Sequence, residues 1–254
     1  MKIISVCNGK GGVGKTTTSA HIGAAIAHFG KKVLLIDLDS NKSLTGFFKI
    51  EIENFEDPIT AIEVISKPSR FTFTQSHIEV SKNLFMSPVK RNEANTYETV
   101  FRNTEGALLN LKTALAKVSE VYDYVIIDTP GNTDSVYLKM AVAASHQVII
   151  PIGPSDMDIE PTMAFLDILD ETIQEHNPSL TDIRFLATKM KTKAQKKIIL
   201  SMFDDSTKDQ LFETEIGHRV IFERTSMNGI TIIESNRKDK GAIEYMNLAK
   251  EVMI

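Results

Sequence analysis

Short runs of apolar and β-branched residues alternate along the chain with longer segments whose apolar positions recur every three or four residues. The runs at 2–7 (KIISVC), 32–39 (KVLLIDLD), 83–88 (NLFMSP), 122–128 (YDYVIID), 146–152 (HQVIIPI) and 183–189 (IRFLATK) predict buried strands. Helical spacing predicts helices at 15–30, stopped by Gly30, and at 58–67, 106–118, 134–145, 158–175, 194–203 and 241–254. A strand that is apolar on both faces needs cover on both faces. Such strands separated by helices imply an α/β fold: a doubly wound, mostly parallel sheet with helices on both sides. No linker, repeat or low-complexity tract interrupts the pattern, so 1–254 is read as one domain. The least regular stretch, 68–104, is rich in Ser, Thr and Asn and is read as an elaboration of that domain.

Composition narrows the function classes. A chain of 254 residues is long enough to bury a core without staples. Its one cysteine, Cys7, excludes a disulfide framework and a cysteine-rich metal site, and fits a reducing compartment. No apolar run approaches the ~20 residues that span a bilayer, and the N-terminus does not read as a signal peptide. The expectation is a cytoplasmic protein with no membrane partner. A net charge of −4 gives no general attraction to nucleic acid, so any such binding must come from a local patch. The histidines show no metal spacing, and the methionines and phenylalanines fall mostly in core patterns.

The chemistry concentrates in CNGKGGVGKTTTSA, residues 7–20. Within it, 9–16 matches G-x-x-x-x-G-K-[ST], between a predicted strand and a predicted helix as that motif requires. Gly11, Gly12, Val13 and Gly14 let backbone N–H groups curl around phosphate oxygens at a helix N-terminus. Lys15 is placed to reach β- and γ-phosphates, Thr16 to bind Mg²⁺ and Thr17 to hold the α-phosphate. Acidic residues follow at strand ends: Asp37 and Asp39 close VLLIDLD, and Asp128 closes YDYVIID in the Walker B pattern. Gly131 stands where a phosphate-sensing loop (switch II) would hinge. One such carboxylate could be a helix cap; two such strands beside a phosphate loop point to nucleotide hydrolysis.

A second lysine, Lys10, precedes the loop. The sequence KGGVGKT at 10–16 resembles the deviant Walker A motif of the ParA/MinD family of P-loop ATPases. The resemblance extends to KKVLLIDLD, YDYVIIDTPG, VIIPIGPSDMDIE and GAIEYMNLAKEV, nearly the full chain. It implies ATP and Mg²⁺ as cofactors and a homodimer closed face to face by ATP. In that dimer Lys15 serves its own nucleotide, while Lys10 crosses to the partner's phosphates. By the same resemblance Lys10, Lys15 and Asp39 are the catalytic group, with Asp39 orienting water. Asp37 and Asp128 assist the Thr16-bound magnesium through waters. Partition members continue Asp39 as Asp-Pro-Gln-Gly-Asn-x-Thr. Here 39–45 reads DSNKSLT, which keeps Thr45 alone of the distinctive residues.

Other branches are excluded by missing features: a basic amphipathic C-terminal helix, paired cysteines, a tyrosine cluster, or the T-K-x-D guanine motif, here TKMK at 188–191. The chain begins at its first predicted strand, which implies the short ParA form. That form binds DNA non-specifically as an ATP dimer, associates with the nucleoid and is reset by a ParB-type centromere-binding or cargo-adaptor protein. The run from Arg184 through Lys197 carries six basic residues and no acid before Asp204. Lys191, Lys193, Lys197, Arg219 and Arg224 are the candidate DNA contacts. The alternative is a ParA-like ATPase that positions a protein cargo or serves conjugation with little DNA binding.

Overall fold

The computed structural model describes residues 1–154, 159–205 and 207–254. Residues 155–158, within the quoted VIIPIGPSDMDIE and including the predicted helix start at 158, lie outside the described residues.

In chain order the elements are β1 (Lys2–Val6), α1 (Lys15–His28), β2 (Val33–Asp37), α2 (Ser43–Phe47), α3 (Ala61–Ser66), α4 (Phe73–Ser76), β3 (Ile78–Ser81), β4 (Leu84–Ser87) and α5 (Arg91–Arg102). There follow α6 (Asn110–Ala116), β5 (Tyr124–Asp128), α7 (Val136–Ala144), β6 (Gln147–Ile152), α8 (Ile159–His176), β7 (Asp182–Ala187), α9 (Lys193–Leu200), α10 (Val220–Asn228), α11 (Ile232–Ser235) and α12 (Lys240–Val252). The strands form one seven-stranded sheet in the order β3-β4-β2-β5-β1-β6-β7. All pairs are parallel except β3 with β4. The doubly wound, mostly parallel α/β sheet expected from the sequence is the fold.

Alternation along the central strands explains why both faces are covered. Ile4 and Val6 of β1, Leu35 of β2 and Ile126 of β5 enter a core closed by α1, α11 and α12. Their neighbours Ile3, Leu34, Ile36, Val125 and Ile127 enter a second core under α3, α5, α6 and α7. A third cluster joins β6 and β7 to α8 and α9. The α1 pattern works because Gly23 faces the sheet: a Cβ there would stand 2.5 Å from Leu35 Cδ2.

The stretch 68–104 holds α4, β3, β4 and α5. β3 and α5 have no counterpart in the predicted elements. β3 is an antiparallel edge strand, half exposed, so IEVS lacks the apolar run of a central strand. In α5 only Ala94 and Phe101 are buried, too thin a stripe to stand out among polar residues. α10 was also absent from the predicted pattern, because most of its residues face solvent or the cleft.

Candidate functional site

β1 ends beside the centre of the sheet, and the loop after it turns back into α1. Asn8 shapes the turn: its amide donates to Pro151 O (2.9 Å) and Thr162 Oγ1 (3.2 Å), and its Oδ1 accepts the Lys10 N–H (2.9 Å). Gly12 and Gly14 take positive φ (79° and 96°), a backbone open to glycine, and Gly14 caps α1. Lys15 is 7% exposed and its ammonium folds back onto Lys10 O at 2.9 Å. Burial lowers its pKa, opposed by Asp128 and then Asp39.

The carboxylates arrive from the neighbouring strands. Asp37 and Asp128 are register partners at the ends of β2 and β5. Thr16 donates its hydroxyl to Asp128 Oδ2 and Ser19 donates to Oδ1, both at 2.8 Å. Burial, and then the Asp37 charge, push Asp128 up to about 7. Asp37, also pushed up by burial, to about 6, accepts the Thr45 N–H (2.8 Å), the Thr45 hydroxyl (2.7 Å) and the Asp39 N–H (3.0 Å). Asp37 therefore anchors the loop that carries Asp39.

Asp39 is itself held. Its Oδ1 accepts the Asn41 N–H at 3.0 Å and its Oδ2 the Ser43 hydroxyl at 2.8 Å. Lys42 takes positive φ (60°) to start α2. Ser43 and Lys42 thus shape DSNKSLT around Asp39 without the Pro, Gln and Gly of the partition pattern. Gly131 sits against the loop: a Cβ there would lie 3.1 Å from Lys15 Nζ and 3.2 Å from Gly11 Cα.

Gly11, Gly12, Gly14, Lys15, Thr16, Thr17, Asp39 and Gly131 line one cleft of about 950 Å³, and Arg219 stands on its far wall. Val13, Asp37 and Asp128 are buried just behind it. The oxygen donor Thr16, with the carboxylates of Asp128 and Asp37 behind it, suits a hard divalent cation. Among the described residues no three His, Cys, Asp or Glu side chains form a metal cage. Magnesium keeps several waters and takes one or two protein groups together with phosphate oxygens. Cys7 is buried and its thiol is pushed up to about 12, so it has no part in this chemistry.

The basic run looks different in three dimensions. Arg184 lies 4.0 Å over the Phe212 ring and near Glu251 (3.9 Å), Lys196 pairs with Glu215 (3.3 Å), and Arg219 pairs with Glu244 (2.5 Å). Lys191, Lys193, Lys197 and Arg224 make no ion pair among the described residues. The first three stand on and just before α9, while Arg224 is on α10.

Sequence reasoning passed over several side chains that build the site. Asn8, Ser19, Ser43 and Thr188 are small polar residues whose roles appear only when their partners arrive from other elements. Asn8 alone left a signal: a polar residue ending an apolar strand immediately before the loop.

A family model described as an AAA domain matches residues 1–182. The sporulation initiation inhibitor protein Soj of Bacillus subtilis is 31% identical over 99% of this chain and 98% of its own length. Among solved structures, a cobyrinic acid a,c-diamide synthase from Mycobacterium smegmatis with bound ATP analogue and magnesium superposes with a TM-score of 0.83 at 27% identity, covering 100% of this chain and 94% of that one. A putative plasmid partition protein from Borrelia burgdorferi bound to AMPPNP gives 0.80 at 25% identity, with 99% and 98% covered. No helix among the described residues is long and apolar enough to cross a membrane.

Proposed function

The chain belongs to the ParA/MinD-type P-loop ATPases, and from that premise we propose that it is a ParA-type partition ATPase. ATP and Mg²⁺ are its cofactors. Binding closes two copies into a sandwich dimer that holds DNA non-specifically, and a ParB-type centromere-binding or cargo-adaptor protein stimulates hydrolysis. Hydrolysis reopens the dimer and releases the DNA, so that repeated cycles on the nucleoid segregate a plasmid or chromosome.

The residues divide the work. Backbone N–H groups of Gly11–Gly14 and the N-terminus of α1 cradle phosphate. Lys15 neutralises the phosphates of its own nucleotide. Thr16 holds magnesium directly, with Asp128 fixing the Thr16 hydroxyl and Asp37 acting at one remove. Magnesium, when bound, neutralises charge that develops on the phosphate oxygens. Asp39 orients the attacking water, and Lys10 reaches the partner's phosphates in the manner of an arginine finger.

The observation that carries the reading is the pair of lysines flanking one glycine loop, with Asp39 and Asp128 delivered beside it by adjacent strands. The test is DNA binding without nucleotide, with ADP, with ATP, and with ATP plus Asp39→Ala to trap the dimer. Binding only with ATP, persisting in Asp39→Ala and weakening steeply with salt, is expected. A Lys10→Ala protein that still dimerises unchanged with ATP refutes the trans role of Lys10.

One observation favours the second reading, a cargo-positioning or conjugation ATPase with little DNA binding. Glu251 and Glu215 offset two residues of the acid-free basic run, Arg184 and Lys196, and Glu244 offsets Arg219. Charge reversal at Lys191, Lys193 and Lys197 separates the two. Partition requires DNA affinity to fall, and the adaptor is indifferent.

A further inference from the structure

The proposed reaction uses one side of the cleft. β1 lies between β5 and β6, and Asp37, Asp39 and Asp128 stand at the ends of β2 and β5 to one side of it. The cleft continues to the other side, over β7, where Thr188, Lys189, Ile216, Gly217, His218 and Arg219 form its wall. Phe222, Glu223 and Ser226 of α10 line the cleft beside it. A triphosphate lying on the loop with its terminal end toward Asp39 directs its nucleoside toward β7.

That wall lies mostly beyond the sheet and is laced together by a few bonds. Thr188 donates its hydroxyl to Val13 O (2.9 Å) and Ile152 O (3.1 Å). The Met190 N–H reaches Ile216 O (3.0 Å) and the His218 N–H reaches Met190 O (2.8 Å). From behind, α12 grips the strip with two carboxylates seven residues apart, on one helix face. Glu251 accepts the N–H groups of Glu213 (3.0 Å) and Thr214 (2.9 Å). Glu244 accepts the Gly217 N–H (3.1 Å) and two guanidinium nitrogens of Arg219, Nε at 3.3 Å and Nη2 at 2.5 Å. Gly217 lies against that guanidinium: a Cβ there would stand 2.9 Å from Arg219 Nη2. The two side chains are 24% and 15% exposed, so the pair is shielded where it meets the wall.

We propose that the Arg219–Glu244 pair is a positioning device for the nucleoside of the bound nucleotide, holding the Ile216–Arg219 wall at the base-and-sugar end of the cleft, and that Arg219 is not a DNA contact. The proposal rests on the ATPase reading above. Neither residue touches the reacting phosphates; each acts through the backbone of the wall.

Inorganic tripolyphosphate separates the two ends, because it carries the phosphates without a nucleoside. The full chain and its Arg219→Ala, Glu244→Gln, Arg219→Lys and Arg219→Ala/Glu244→Gln variants are titrated with Mg-ATP, Mg-ADP and Mg-tripolyphosphate. Losing one bidentate, charge-assisted contact is expected to weaken ATP and ADP about tenfold in either single alanine or glutamine variant. The double variant should be no weaker than the weaker single, because both remove one unit. Arg219→Lys keeps the charge without the planar fork and should recover only part of the affinity. Tripolyphosphate affinity should stay at the parent value throughout, as should DNA affinity at saturating ATP.

Unchanged ATP affinity in both single variants overturns the proposal. So does an equal loss for tripolyphosphate, which marks a general structural defect. Lost DNA affinity with intact ATP affinity also overturns it, because Arg219 would then serve DNA. A parent protein that binds neither ATP nor tripolyphosphate refutes the ATPase reading instead.

Discussion

His21 gives the sharpest link between burial and pH. It lies on α1 with no exposed surface, packed among the rings of Phe47 (5.5 Å), Phe222 (5.2 Å) and Tyr245 (5.1 Å). Its Nδ1 accepts the Ile232 N–H at 3.3 Å, which leaves the proton on Nε2, an atom with no hydrogen-bond partner among the described residues. No carboxylate faces the ring. Burial therefore lowers its pKa from 6.5 to about 3. The unfolded chain takes up a proton near pH 6.5 that the folded chain refuses. Stability contributed by the neutral ring is present above pH 6.5 and is lost progressively as pH falls toward 3. Two-state linkage puts the loss between pH 7 and pH 5 at about 2 kcal/mol. Asp37 and Asp128 titrate in the opposite sense, their raised pKa values favouring the folded state as pH falls. The informative quantity is thus a difference between two proteins in which those carboxylates cancel. His21→Met replaces the ring with a flexible side chain suited to an aromatic surround. Urea unfolding of both proteins at pH 7, 6 and 5 gives that difference from midpoints and slopes. The stability of parent minus variant should fall by about 2 kcal/mol from pH 7 to pH 5. Parallel pH profiles would refute the argument, since they would mean that His21 titrates alike in folded and unfolded chains.

Lys15→Met should leave the nucleotide-free protein at least as heat-stable as the parent, because it removes a buried cation, while abolishing the ATP-induced rise in melting temperature. For the parent that rise corresponds to about 2.7 kcal/mol at a hundredfold excess over Kd. Gly131→Ala brings a methyl group to 3.1 Å from Lys15 Nζ and 3.2 Å from the Gly11 backbone. Phosphate release should drop at least about tenfold with little change in urea midpoint; full activity would show that the two loops need no close approach. Thr45→Val strands the Val89 N–H and removes a hydroxyl donor from Asp37. It should cost about 1–3 kcal/mol in urea unfolding, and a loss below about 0.5 kcal/mol would refute the assigned role of that hydroxyl.

Local chemistry was legible in the chain, and long-range pairing was not. The loop at 9–16 could be read directly because its function depends on neighbouring backbone units: glycines at set spacings, a lysine, a hydroxyl and the start of a helix. Asp37, Asp39 and Asp128 were legible for a related reason. A parallel sheet delivers strand ends to one edge, so an apolar run closed by aspartate already implies where that aspartate stands. The central strands announced themselves by being apolar on both faces. β3 and α5 did not, since an edge strand and a lightly buried helix carry little pattern.

Only the tertiary structure decided which charges are free. Along the chain, Arg184 and Lys196 sit in a run with no acid before Asp204, and Arg219 is a further basic residue beyond it. Folding brings Glu251, Glu215 and Glu244 against them, across separations of 67, 19 and 25 residues. The partners of Asp39 were likewise set by folding: α2 brings the Ser43 hydroxyl to it and Asp37, at the end of β2, accepts its N–H. Periodicity records which side of an element is buried. It carries no information about which distant side chain will meet a given charge, because that depends on how separate elements cross.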